Sequence, residues 1–259
     1  MYSTENLDPL SLAAEAGRRI LESGGETYRA EEAVVRLCRA WDFTEAECFA
    51  TPTGLIASVA DYPATSRAVV RRIEHRSVDL RRIARLVEII ERTEKEGIDP
   101  EEFQLSLAAV SAEKPYPLVL SFLAAGSTAA FFTLLFGGTL QDAATAFFVG
   151  IGIKATSVFT VKRGFPDFIV NIAGGFVAAS LSALAIRLGL ALHLDKTVIG
   201  SIMLLVPGLA TVNAIRDTIA GDLVAGIARL SDAFMAAAAI SLGTGFALTL
   251  SAMIERNWG

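Results

Sequence analysis

From Pro117 onward the chain carries five apolar stretches, roughly 117–137, 139–160, 167–190, 197–221 and 230–251. Each has the length, about 20 residues, that crosses a bilayer core. Lipid offers backbone N–H and C=O groups no water to bond, so such stretches fold as helices, and no other feature limits the fold as much. The charges are segregated to match. Residues 1–114 hold 15 of the 23 Lys and Arg and 21 of the 28 Asp and Glu, and residues 115–259 hold the remaining 8 and 7. The predicted organisation is an α-helical polytopic membrane protein with five transmembrane helices over 115–259, preceded by a small cytoplasmic α+β domain over 1–114.

The fourth stretch, TVIGSIMLLVPGLATVNAIRDTIAG, is broken by Pro207-Gly208. A proline in a helix removes a backbone hydrogen bond and clashes with the preceding turn, so Ser201 to Pro207 is predicted to hold a kink or an unwound turn with open carbonyls. Asn213, Arg216 and Asp217 follow it. Charges in or beside a membrane helix cost roughly 3 kcal/mol each on insertion scales, so they face protein, a water-filled cavity or the interface. A broken helix beside polar groups is a sequence pointer to a transporter's binding site. The alternative is structural: such kinks also occur in helices that only pack, and Arg216-Asp217 then marks the cytoplasmic end of the span.

Two more polar residues interrupt the apolar stretches. Lys154 lies well inside the second, where it pairs with Asp142 or Asp217, attracts an anionic substrate, or snorkels to the headgroups. Asn171 lies one turn into the third. His193 reads as a loop residue. Small residues such as Gly150, Gly174, Gly175 and Gly243 allow close helix packing and suggest oligomerisation. Lys162-Arg163 and the cations between Arg216 and Arg229 fall on the cytoplasmic side when the amino terminus is placed inside.

In the polar region, Leu10, Ala13, Gly17, Ile20 and Leu21 recur at helical spacing and predict a helix ending at Gly24-Gly25. A second helix follows, with Val34, Leu37, Cys38 and Trp41 on one face. Glu26, Thr27 and Arg29 at its start either face a substrate or another domain, or are solvated and capping. Phe49 to Ala60, with its Pro-Thr-Gly turn, and Ser66 to Ile73 read as short strands. An amphipathic helix follows Ser77, and Asp99-Pro100-Glu101-Glu102 opens a fourth helix ending near Lys114-Pro115.

Several function classes are excluded. A net charge of -5 without a basic patch argues against nucleic acid. Cys38 and Cys48 lack metal-ligand spacing and read as reduced thiols, so neither metal nor cofactor is expected. Gly150-Ile151-Gly152 sits inside an apolar stretch with no preceding strand, which rules out a dinucleotide loop. There is no nucleophile elbow, phosphate loop or Ser-His-Asp arrangement, so no catalytic residue is assigned. The first thirty residues carry charge throughout and lack an apolar leader core, which points to an amino terminus in the cytoplasm.

GGETYRAEE, the ATPTG turn, the RSVDLRRI helix start and above all LLVPGLATVNAIRDTIAGDLVAGIARL resemble the threonine/serine exporter family, over nearly the whole chain. The resemblance implies gradient-driven export of small amino acids or succinate across the cell inner membrane. Longer family members carry a second membrane half; a chain of this length is similar to the larger subunit of a split form, which works with a small integral membrane protein. An odd number of spans agrees with that reading, because it turns a following copy upside down, as in inverted-repeat transporters. Lys154, Asn171, Asn213, Arg216 and Asp217 are then expected along a substrate pathway shaped by Pro207 and Gly208, with Arg216 or Lys154 holding a carboxylate. Two other classes remain: a membrane-anchored binding or assembly protein acting through its cytoplasmic domain, and a tethered hydrolase supported only by Glu26, Thr27 and His75.

Overall fold

The computed structural model describes residues 8–61, 65–113 and 116–258. Contacts divide the chain into two compact units. One comprises Met1–Lys114 with Leu209–Ser231, the other Pro115–Gly208 with Asp232–Gly259.

The first unit begins with α1 (Pro9–Glu22), where Asp8 accepts from the Ser11 N–H at 3.2 Å and Pro9 fills the first helical position. It lies close against α2 (Thr27–Ala40): a side chain on Gly17 would meet Val34 Cγ2 at 2.6 Å and Leu55 Cδ1 at 2.8 Å. Strands β1 (Glu45–Thr51), β2 (Gly54–Asp61) and β3 (Thr65–Arg72) form an antiparallel sheet in that order. The sequence reading treats Phe49 to Ala60 as one strand; the structure folds it into two halves, with Phe49 opposite Ile56 and Thr51 opposite Gly54 across a Pro52-Thr53 turn. Helices α3 (Leu80–Glu96) and α4 (Pro100–Ala112) start on Asp79 and Asp99, each accepting from an N–H three residues on. The expected end of α4 at Lys114-Pro115 lies outside the described residues. Leu10, Ile20, Leu37, Leu55, Leu86, Phe103 and Leu107 fill a single core. The unit also holds α9 (Gly208–Ile219) from Leu209 onward and the first turns of α10 (Leu223–Trp258), joined at Gly221 with φ +93°.

The second unit contains α5 (Leu118–Leu135), α6 (Leu140–Lys162), α7 (Asp167–Arg187), α8 (Leu194–Ile202) and the remainder of α10. Its interior is made of small residues, among them Ala125, Ala129, Ala146, Ala178 and Ala179. Helices approach to backbone contact: an added Cβ on Gly243 would stand 2.0 Å from the Ile172 carbonyl oxygen, and one on Gly150 2.7 Å from that of Ala125.

Among the described residues four helices, α5, α6, α7 and α10, are long and apolar enough to cross a membrane, and the protein is a multi-pass membrane protein. The stretch expected as a fourth span, kinked or unwound before Pro207, is two short helices, α8 and α9, of 9 and 12 residues, with the unwound turn between them. Between them the segment Met203 to Pro207 makes short-range bonds, such as Leu205 N–H to Ile202 O at 2.8 Å, and Pro207 has no N–H to continue the ladder. The last span begins earlier than its apolar pattern, at Leu223, since nothing breaks the helix before Arg229 and that side chain is buried.

Candidate functional site

The site grows from the turn between α1 and α2. Gly24 takes φ +85°, open to glycine at little cost, and a side chain on Gly25 would meet Ile20 Cγ2 at 2.5 Å. Ser77 N–H to Glu22 O at 2.7 Å and Asp79 N–H to Ser23 O at 3.0 Å pin the turn to the segment before α3. Two carbonyls are thereby presented. Asn213 Nδ2 donates to Gly24 O at 3.0 Å, and Arg229 Nη2 donates to Gly25 O at 2.7 Å.

Asn213, Arg216 and Asp217 stand at i, i+3 and i+4 on α9 and so share one face. Asp217, 1% exposed, accepts from Thr27 Oγ1 at 2.8 Å and pairs with Arg229 Nε at 2.8 Å. The angle at that contact is poor for a hydrogen bond, so charge rather than directionality holds it. Glu26, 7% exposed, lies between two guanidiniums: Arg216 Nη1 on one oxygen and Arg29 Nε at 2.6 Å on the other. Deeper on α2, Glu31 accepts from the Ala50 N–H at 2.8 Å. Burial pushes its carboxyl above the ordinary range, the Ala50 N–H opposes this, and Asp222 and Asp217 add to it.

The far face of this hairpin is apolar and open. Val212, Ile215 and Ile219 on α9, then Leu223, Val224, Ile227 and Leu230 on α10, are all exposed, while Asn213, Asp217 and Arg229 are buried. Residues 209–231 are therefore polar inside and apolar outside, the arrangement that a low-dielectric surrounding imposes on ionisable groups.

The structure thus brings together Glu26, Thr27 and Arg29 with Asn213, Arg216 and Asp217. The other expected site residues lie elsewhere. Pro207 sits in the break and Gly208 opens α9. Lys154 on α6 and Asn171 on α7 are half-buried in the second unit, and no described residue hydrogen-bonds or ion-pairs with either side chain. The two partners considered for Lys154 are engaged otherwise, Asp217 by Arg229 and Asp142 by His193. Asp142 is a hub: it accepts from Leu192 N–H at 2.6 Å, His193 N–H at 3.0 Å and Thr139 Oγ1 at 2.8 Å, and faces His193 Nδ1 at 2.9 Å. It closes a capping box at the start of α6 and ties down the residues that lead into α8, so His193 is a loop residue, as expected, at the N-cap position of α8 and held by Asp142.

Arg229 was missed as a site residue because its position between two apolar stretches reads as a loop cation. The signal was present, since a single arginine beside a buried-facing Asp217 needs a partner. Among the described residues no group of three His, Cys, Asp or Glu can hold a metal ion. Cys38 and Cys48 are free thiols, pushed by burial up to about 11 and about 12.

The threonine/serine exporter family model, ThrE, matches residues 11–251. A threonine/serine exporter of Corynebacterium glutamicum is 32% identical over 126 residues, 47% of this chain and 26% of that protein. A probable threonine/serine exporter of Mycobacterium tuberculosis is 25% identical over 90% of this chain and 44% of its own length. A probable succinate transporter subunit, YjjP, of Klebsiella aerogenes is 24% identical over 95% of both chains. The chain thus spans less than half the length of the two exporters. No solved structure matches it.

Proposed function

Because the chain belongs to the threonine/serine exporter family, a non-enzymatic family of exporters and transporter subunits, we propose that it is one subunit of a gradient-driven exporter of small carboxylate-bearing metabolites, succinate or threonine and serine. It works across the cell inner membrane with its amino terminus in the cytoplasm and a small integral membrane protein as its partner, in an oligomer. The broken helix carries the reading: α8 ends at Ile202 and α9 starts at Gly208, and a helix interrupted at a proline beside polar residues is the feature around which transporters hold a polar solute. We count α8 and α9 as one broken span, which with α5, α6, α7 and α10 would make the five spans expected of half an inverted-repeat transporter.

Coverage supports the partner. YjjP, named a transporter subunit, matches over 95% of both chains, and a subunit works with a partner. In this reading Lys154, Asn171, Asn213, Arg216 and Asp217 serve the substrate pathway with Pro207 and Gly208, and Glu26 and Thr27 hold Arg216 and Asp217.

The test is efflux from cells preloaded with labelled succinate, serine or threonine, expressing the chain with and without its small partner. Partner-dependent efflux of one solute is the expected result. Absence of efflux for all three, with both proteins in the membrane, would move the function to binding or assembly through the polar unit.

A further inference from the structure

Beside the polar cluster, the first unit contains a cleft of about 250 Å³ between α1, α2 and α3. Its floor is apolar, Ile20, Ala33, Val87 and Ile90, and its rim carries Tyr28, Arg29, Glu32 and Arg36 from one side of α2. It is smaller than the pockets that bury drug-sized molecules, which start near roughly 300 Å³, and so matches a small metabolite.

The two arginines differ in what they have left to offer. Arg36 is taken up by Glu94, which accepts from its Nε at 3.2 Å and also from its Nη2, with Glu32 on the other side. Arg29 is not. Its contacts run through Nε, to Tyr28 Oη at 3.2 Å and Glu26 at 2.6 Å, and its side chain is 46% exposed. No described residue bonds to its Nη groups, the pair whose fork geometry matches a carboxylate. Glu26 in turn divides its two oxygens between Arg29 and Arg216. Glu32 on the cleft rim adds a second carboxylate near Arg29, and Asp217 and Arg229 neutralise each other. An open guanidinium fork above an apolar floor describes a seat for a carboxylate on a short carbon chain.

We propose that this cleft binds a small organic carboxylate, gripped by Arg29 with its methylene groups on Ile20, Val87 and Ile90, and that Glu26 is the internal carboxylate competing for the same guanidinium. The cleft is built from α1, α2 and α3 and stands whether or not the chain transports, so its occupancy is measured without transport.

The experiment is calorimetric titration of the purified full chain in detergent with succinate and with butyrate, a dicarboxylate and a monocarboxylate. At least one is expected to bind saturably in the millimolar range or tighter. Arg29→Gln should weaken that binding about tenfold or more, Arg29→Lys less, since charge is kept and the fork lost, and Glu26→Gln should tighten it severalfold by removing the competitor. Arg92→Gln, at an exposed surface pair on α3, serves as the control and should change nothing. Melting curves establish that each variant is folded. Failure of both probes to bind, or binding by a folded Arg29→Gln protein with unchanged affinity, would overturn the proposal.

Discussion

The two units solve burial in opposite ways. In the first, the large side chains are inside, Phe103, Leu10, Ile20 and Leu107 among them, and the surface of α3 is laced with exposed pairs such as Arg92 with Glu96 and Lys95 with Glu91. In the second, the interior is mostly alanine and glycine while Phe131, Leu135, Leu140, Phe148, Phe234 and Phe246 face out. Water rewards the first arrangement through the apolar area it loses. Lipid is as apolar as leucine, so close backbone approach and polar satisfaction do that work in the second. Residues 209–231 break the correspondence: they group with the first unit by contact yet are patterned like the second. A hairpin with its charges inside needs protein partners for them, and the α1–α2 turn supplies those partners.

The sharpest way to break this comparison is to leave a charge of the hairpin unpaired. Arg229→Met removes the cation facing buried Asp217 and the donor to Gly25 O, and should destabilise the protein by about 3 kcal/mol or more. A melting measurement that finds the variant within error of the parent would show that the pair is not buried. Next in size are the close approaches of the second unit. Gly243→Ala pushes a Cβ into the Ile172 carbonyl and should cost about 1–3 kcal/mol, whereas Gly245→Ala, with open space around it, should be silent. Equal melting shifts for the two would mean that small residues are not what brings α7 and α10 together.

Two smaller effects sharpen the picture of the first unit. Cys38 and Cys48, raised to about 11 and about 12, hold almost no thiolate at about pH 8 and should resist iodoacetamide until the protein is unfolded. Fast labelling of either in the folded state would place it at the surface. The smallest change is expected at Glu31. A carboxyl raised in the folded state favours folding when protonated and loses that contribution as pH rises through the raised value. Glu31→Gln, which keeps an acceptor for the Ala50 N–H, should melt at or slightly above the parent near neutral pH, with the difference closing toward about pH 4. A variant that melts lower near neutral pH would mean that the charge itself is stabilising.

Features set by local chemistry were legible in the sequence. Asp8-Pro9, Asp79 and Asp99-Pro100 announce their helices through side-chain caps, Gly24-Gly25 ends α1, and Pro207 opens the chain between α8 and α9. The turn at Pro52-Thr53 was legible as a turn but not as the centre of a hairpin, because the small alternating residues on either side look alike whether one strand continues or two pair. The candidate site was half legible. Asn213, Arg216 and Asp217 announce a polar face on an apolar helix, but what that face meets is 189 or 190 residues away in the chain. No periodicity carries that information. For the same reason Glu26 and Thr27, which resemble ordinary first-turn residues, gave no sign that they are buried, and Lys154 gave no sign that Asp142 is committed to His193.

The most direct test of the hairpin's attachment is a double-mutant cycle across Thr27 and Asp217, using Thr27→Val and Asp217→Asn, with stability measured by thermal melting of the full chain in detergent. Thr27 is fully buried, and its hydroxyl donates to Asp217 at 2.8 Å. The account predicts a coupling energy of about 1 kcal/mol or more between the two sites. Additive effects, with no coupling, would contradict it and separate residues 209–231 from the turn that is held here to clasp them.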